Sequence, residues 1–188
     1  MRITIPDPSL VILCGPAACG KSTFARRHFK RIQVVSSDEC RALISNSPEH
    51  QRCSPDAFEL FHMIIEKRLK WRRLTVADST ALGRDARAEL RRLARLWEVP
   101  AVLVLFNVSE GTCTSRDSSR ERKVGEWVLR AQFAKLQDAL ANVRHEPYES
   151  VHIIGEDDLG KEQVRRKLIK LPARRRGAKP DAQSAEKS

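Results

Sequence analysis

Gly15-Pro16-Ala17-Ala18-Cys19-Gly20-Lys21-Ser22 fits the pattern G-x-x-x-x-G-K-[ST], and Thr23 follows it directly. The flanking residues agree with that reading. Ser9 to Cys14 is an apolar, strand-like run that leads in, and Lys21 to Lys30 reads as a helix that leads away. Glycines let the backbone curl until several N–H groups converge, and the helix adds the positive end of its dipole. A loop of this kind cradles phosphates. Residues 15–23 are therefore the expected ATP-binding segment, with Lys21 bridging the β- and γ-phosphates and the Ser22 hydroxyl on Mg²⁺. A chance match in a tight turn would not bring Lys and Ser onto a strand–turn–helix. Cys14 and Cys19, beside and within the loop, are expected to pack as small residues.

Outward from the loop, strands and helices alternate. Ile32 to Ser36 is a short strand and Asp38 to Ser45 a helix. A polar loop, 46–53, ends at Ser54-Pro55-Asp56. That triplet suits a helix start: Ser can cap, Pro fits the first helical position and Asp the first turn. Phe58, Phe61, Ile65 and Leu69 continue at helical spacing. Leu74 to Asp78 is the next strand. Arg84 to Trp97 is a helix with Leu90, Leu93 and Trp97 inward, and Ala101 to Asn107 is a strand. Ser109 to Arg122 reads as a polar helix that frays, and Leu129 to Leu140 as a long amphipathic one. Val151 to Ile154 is a last strand and Gln163 to Leu171 a last helix. Five strands separated by helices predict an α/β fold, a doubly wound parallel sheet in one domain over residues 1–172.

A phosphate loop alone does not separate kinases from other nucleotide hydrolases; the next strand adds more. Asp38 lies just past its carboxyl end, the edge where ligands sit in open α/β sheets. A carboxylate there can take the proton of an attacking hydroxyl; as a bland alternative it caps the helix. Arg41, one turn on, can hold an acidic group of the acceptor, or lie exposed on the surface. Asp78 ends a strand and can hold Mg²⁺ through water, or cap the next turn. Arg116, Arg120 and Arg122 recur within one short segment, Arg116 and Arg120 four apart. Cations that close over a transferring phosphoryl stabilise its equatorial oxygens; a solvated helix with Asp117 and Glu121 as partners is the alternative.

These segments together resemble the kinase domain of bacterial polynucleotide kinase-phosphatases. The resemblance runs from Ile3-Thr4-Ile5-Pro6 to about Ile154. Its carrying segments are Gly15 to Ala25, Val35-Ser36-Ser37-Asp38 with Cys40-Arg41, Leu74 to Asp78 with Thr80, Phe106-Asn107, and the basic run from Arg116. It implies a P-loop kinase-like fold with a helical lid, and ATP-dependent transfer to a 5′-OH RNA or DNA end. It further implies Asp38 as base, Arg41 on the phosphate beside the terminal nucleoside, and Arg116, Arg120 and a third basic residue as lid cations. Two departures stand out. The lid is one residue shorter than the family's, so Arg122 or Lys123 stands for the third cation, Arg122 the better match. Ala81 replaces the Asn that commonly closes the Asp78-Ser79-Thr80 motif and cannot make its hydrogen bond. No phosphatase or ligase module follows the kinase core, so separate end-healing or ligase proteins are expected partners.

Arg84, Arg87, Arg91 and Arg95 are spaced as a stripe that can track a strand or be a solvated face. Trp127 can stack a base, though packing on the helix that follows is expected. Two other functions fit the motifs: a small-molecule kinase acting on a metabolite or antibiotic, and a non-catalytic ATP-gated module that binds nucleic acid.

Composition sets the outer limits. The net charge is +11, and residues 161–188, with ten Lys/Arg and three Asp/Glu, supply +7 of it. Residues 173–188 read as a basic disordered tail. No apolar run approaches a membrane span, and the N-terminus has no signal core. Five cysteines without a C-x-x-C pair suggest neither a disulfide framework nor a zinc site, which fits a reducing cytoplasm.

Overall fold

The apolar run ahead of the glycine loop becomes the middle strand of a parallel sheet. The computed structural model describes residues 1–121 and 123–173. In chain order the elements are β1 (Arg2–Asp7), β2 (Leu10–Cys14), α1 (Lys21–His28), β3 (Val34–Ser36), α2 (Ser37–Ser45), α3 (Ser54–Lys70), β4 (Thr75–Asp78) and α4 (Arg84–Leu96). There follow β5 (Ala101–Asn107), α5 (Glu110–Ser118), α6 (Glu126–Asn142), β6 (Ser150–Gly155) and β7 (Gln163–Leu168). The main sheet has the order β3-β4-β2-β5-β6 with all pairs parallel. Leu10 lies opposite both Thr75 and Ala101, so β2 is flanked on both sides. That position accounts for its unbroken apolar run: all five residues are buried.

The topology places the site. From β2 the chain steps outward to β3, fills in with β4, then crosses to β5 on the other side of β2. The order reverses at β2, and in open α/β sheets the crevice at such a point, beyond the carboxyl ends, receives ligands. The glycine loop leaves β2 there. α1 is locked beneath it by Phe24, whose ring meets Phe106 of β5 edge-on at 5.6 Å between centroids. Burial of one such ring stabilises the fold by about 1.5–3 kcal/mol.

One expectation fails near the end of the chain and one at a cap. Gln163 to Leu171 is not a helix. Residues 163–168 form β7, which pairs in parallel with β1 as a separate two-stranded sheet, Ile3 opposite Val164 and Ile5 opposite Arg166. Ile3 and Ile5 are fully buried; β1 presents an edge whose peptide groups need a partner, and that pairing overrides the local spacing of Val164, Leu168 and Leu171. At α3, Ser54 is the first helical residue and not the cap; Cys53 holds the cap position without a side-chain bond. Residues 174–188, most of the expected tail, lie outside the described residues.

Candidate active site

The loop's shape follows from its glycines. Gly15 has φ +153, and a Cβ there would lie 2.9 Å from Cys19 Sγ and 3.1 Å from Phe106 Cβ. Gly20, the N-cap of α1, has φ +109. The Gly15 N–H donates to Thr80 O at 2.9 Å, which ties the loop to the segment after β4. Lys21 is buried, and its Nζ donates to Gly15 O at 2.8 Å and Pro16 O at 2.5 Å. The ammonium thus sits at the centre of the curl, the position from which a cation meets phosphate oxygens. Cys14 and Cys19 are both buried, as packing requires, and burial pushes the Cys14 thiol up to about 12.

One contact here was not visible in the sequence. Gln132 of α6 accepts the Ala17 N–H through Oε1 at 2.7 Å. The loop and that glutamine are 115 residues apart, and no local pattern marks a lone Gln on an amphipathic helix.

Ser22 and Asp78 are brought together: the Ser22 hydroxyl lies near enough to the Asp78 carboxylate to favour its charged form. Asp78 is buried, and burial pushes its carboxyl up, against the pull of Ser22 and Lys21. A buried carboxylate short of positive charge, beside a hydroxyl at the phosphate loop, fits an Mg²⁺ ion. Among the described residues no group of three His, Cys, Asp or Glu side chains is placed to hold a metal, so phosphate and water oxygens would complete the shell.

Asp38 is not the cap of α2. That role falls to Ser36, whose side chain accepts the Glu39 N–H, while Asp38 sits in the first turn. Its carboxylate pairs with Arg41 Nη1 at 2.5 Å. Nor is Arg41 a surface arginine; it is 5% exposed. It also donates from Nη1 to Pro48 O at 3.0 Å and from Nε to Ser54 Oγ at 3.3 Å. The polar loop between α2 and α3 folds over the guanidinium, which explains the burial. Arg41 therefore braces Asp38 at the same edge of the sheet as Ser22 and Asp78.

The lid segment is shorter than expected. α5 ends at Ser118, and Arg120 lies in the turn beyond, its N–H donating to Asp117 O. Arg116 and Arg120 are both exposed but not on one continuous helix face; Arg122 lies outside the described residues. Asp117 is no surface partner: it is buried and accepts the Val124 and Gly125 N–H groups at 3.0 Å, which fastens the turn between α5 and α6. Glu156, after β6, accepts from the Ser109 hydroxyl at 2.8 Å and anchors the start of α5. Trp127 does not pack; it is 81% exposed, because α6 turns Leu129, Phe133 and Leu136 inward instead.

The arginine stripe does not form. Arg87 is fully buried, donating to both Glu146 oxygens, to Ala81 O at 3.2 Å and to Leu82 O at 2.6 Å. Arg91 is also buried on Glu146, and Tyr148 joins them. Ala81, at φ +44, thus gives its carbonyl to Arg87 and to Cys14 Sγ, holding the segment after Asp78 although Ala81 has no side-chain hydrogen bond to offer.

A family model described as an AAA domain matches residues 10–143, well over half of the chain. The chain belongs to that family. No curated protein matches the sequence. The AAA domain is similar in fold to several solved structures. A gluconokinase from Sinorhizobium meliloti 1021 is 19% identical over 80% of this chain and 84% of its own, with TM-score 0.54. A chain of the Pnkp1/Rnl/Hen1 RNA repair complex is 17% identical, TM-score 0.62, over 77% of this chain and 48% of that one. A chain of the AvrRxo1-ORF1:-ORF2 complex with ATP is 16% identical, TM-score 0.60, over 79% and 55%. At these identities the likeness is one of fold. The fold is that of P-loop kinases, and the domain carries the parts of ATP-dependent phosphoryl transfer. Among the described residues no helix is long and apolar enough to cross a membrane.

Proposed function

We propose that this AAA domain is an ATP-dependent kinase of 5′-OH polynucleotide ends. The observation that carries the reading is the Asp38–Arg41 pair on the first turn of α2, directly beyond β3. It lies on the same sheet edge as the phosphate loop, close enough for the Asp38 charge to act on Asp78. A base held there by a buried brace suits a hydroxyl acceptor. The likeness of fold to a chain of an RNA repair complex supports a polynucleotide as that acceptor.

In this reading the loop N–H groups and Lys21 grip the β- and γ-phosphates, and Ser22 and Asp78 hold Mg²⁺. When bound, Mg²⁺ neutralises charge on the phosphate oxygens. Asp38 accepts the proton of the 5′-hydroxyl as the new P–O bond forms. Arg41 fixes the carboxylate, and its Nη2 hydrogens, outside the bonds to Asp38, Pro48 and Ser54, meet the acceptor's adjoining phosphate. Arg116 and Arg120 close on the γ-phosphoryl. The likeness of fold to a gluconokinase keeps a small-molecule acceptor as the second reading.

The deciding experiment supplies γ-labelled ATP with a 5′-OH RNA, a 5′-OH DNA, gluconate and a bare nucleoside. Label on an oligonucleotide and on neither small molecule supports the proposal. Label on gluconate with none on either oligonucleotide transfers the assignment to the small-molecule kinase.

A further inference from the structure

A second concentration of positive charge lies at the opposite end of the sheet. Asp7 closes β1 just ahead of β2, Gln33 and Leu74 immediately precede β3 and β4, and with Ile32, Arg68, Arg72 and Arg73 they line a cleft of about 350 Å³. The phosphate loop, Asp38 and Asp78 belong to the carboxyl ends of β2, β3 and β4. Arg166 of β7 reaches in from the side, its Nη2 donating to Gln33 Oε1 at 2.9 Å. Four guanidinium groups thus meet one carboxylate, Asp7. Among the described residues Arg68, Arg72 and Arg73 form no ion pair. Arg68 is held by Thr75 Oγ1 and Leu74 O, and Arg72 by Pro172 O at 2.5 Å; with Arg166 on Gln33 Oε1, three of the four are preorganised by neutral oxygens. Arg72 also has φ +50, just after the end of α3, where glycine is the usual residue.

We infer that this cleft is a docking site for the phosphodiester backbone of the polynucleotide whose end is phosphorylated. The inference rests on the acceptor class proposed above. Arginines without ion-pair partners and held by neutral oxygens match phosphate charge and the bidentate geometry of phosphate oxygens. β2 and β4 are five and four residues long, so the cleft and the transfer site are at least about 15 Å apart. At a rise of about 3.4 Å per phosphate along a strand, only acceptors longer than roughly five nucleotides reach both. The cleft therefore adds affinity for long ends and leaves chemistry on short ones unchanged.

The test measures binding of 3′-labelled 5′-OH RNA, 30 or 4 nucleotides long, to the full chain by fluorescence anisotropy between about 50 and 200 mM salt. Arg72→Gln/Arg73→Gln is compared with wild type, and the exposed Arg73→Gln alone guards against a folding defect. The expected result is a loss of about fivefold or more for the 30-mer at low salt. Its log–log salt slope should fall by about 1.4, two single-strand contacts of about 0.7 each, with half that change for Arg73→Gln. Binding and labelling of the 4-mer should not change. Equal 30-mer affinity and slope in all three proteins overturns the inference. So does displacement of the 30-mer by polyglutamate as effectively as by unlabelled RNA. Failure of wild type to label any oligonucleotide sinks the acceptor reading instead, and the anisotropy result then stands apart from it.

Discussion

Replacement of Glu146 by Leu asks whether the α4 arginines are a surface stripe or a buried brace. Glu146 accepts from Arg87 Nη2 at 2.6 Å and from Nε at 3.1 Å to each oxygen, and it also holds Arg91 and Tyr148 Oη. Arg87 is fully buried and the Glu146 side chain is 7% exposed. An exposed ion pair is worth about 0–1 kcal/mol. Removal of one partner from a buried pair strands the other charge and costs about 3–5 kcal/mol. For a chain of this size, about 2–4 °C per kcal/mol, the melting temperature should fall by roughly 6–20 °C. Urea unfolding followed by circular dichroism gives the free energy. Arg87→Met with Glu146→Leu should be less destabilising than the sum of the singles, with a coupling of about 2–3 kcal/mol. A loss below about 1 kcal/mol for Glu146→Leu, additive with Arg87→Met, would refute the buried-brace account. Arg87 holds the Ala81 and Leu82 carbonyls, next to the Thr80 carbonyl that receives the Gly15 N–H. ATP affinity should therefore fall along with stability.

Gly15→Ala should abolish ATP binding, read by calorimetry, because its Cβ would crowd Cys19 Sγ and the Phe106 backbone at a φ that disfavours any side chain. Arg116→Ala and Arg120→Ala should each lower kcat by more than tenfold while ATP affinity changes little, since their contacts form as the segment closes; steady-state kinetics separate the two. Stability should decline in acid through Glu146. Burial pushes its carboxyl up, but the bonds and charge of Arg87, then Tyr148 and Arg91, outweigh that and leave it low. A lowered folded-state value means the contribution is full above the ordinary glutamate value of about 4.3 and lost as pH falls through the folded one. Melting temperatures between about pH 3 and 6 should drop less steeply at the acid end in Glu146→Gln.

What was legible in the sequence was local. The glycine loop, its flanking strand and helix, and the five strands of the main sheet follow from apolar runs and turn residues within a few positions of each other. Ser22, Asp38 and Asp78 stand out as candidates in the sequence because each sits at a fixed offset from a strand end. What was hidden depends on partners far along the chain. β7 is a strand because β1, 161 residues earlier by the Arg2–Gln163 pairing, needs an edge partner. Arg87 and Arg91 look like a solvent stripe until Glu146, 59 and 55 positions on, is placed beside them. Arg41 is buried only because the loop after α2 folds back, and Gln132 reaches the phosphate loop only once α6 is docked. Asp117 reads as a surface charge because backbone N–H groups leave no mark in a sequence.

The central claim is that Asp38 takes a proton from a 5′-hydroxyl. The most direct test is the rate of label transfer from γ-labelled ATP to a 5′-OH oligonucleotide by wild type and Asp38→Asn, with ATP affinity measured on the same preparations. The account predicts 5′-labelled product from wild type and a rate lower by about 10²–10⁴-fold in Asp38→Asn, at an ATP affinity unchanged within about twofold. Near-wild-type transfer by Asp38→Asn, or no 5′ label from wild type, would contradict it.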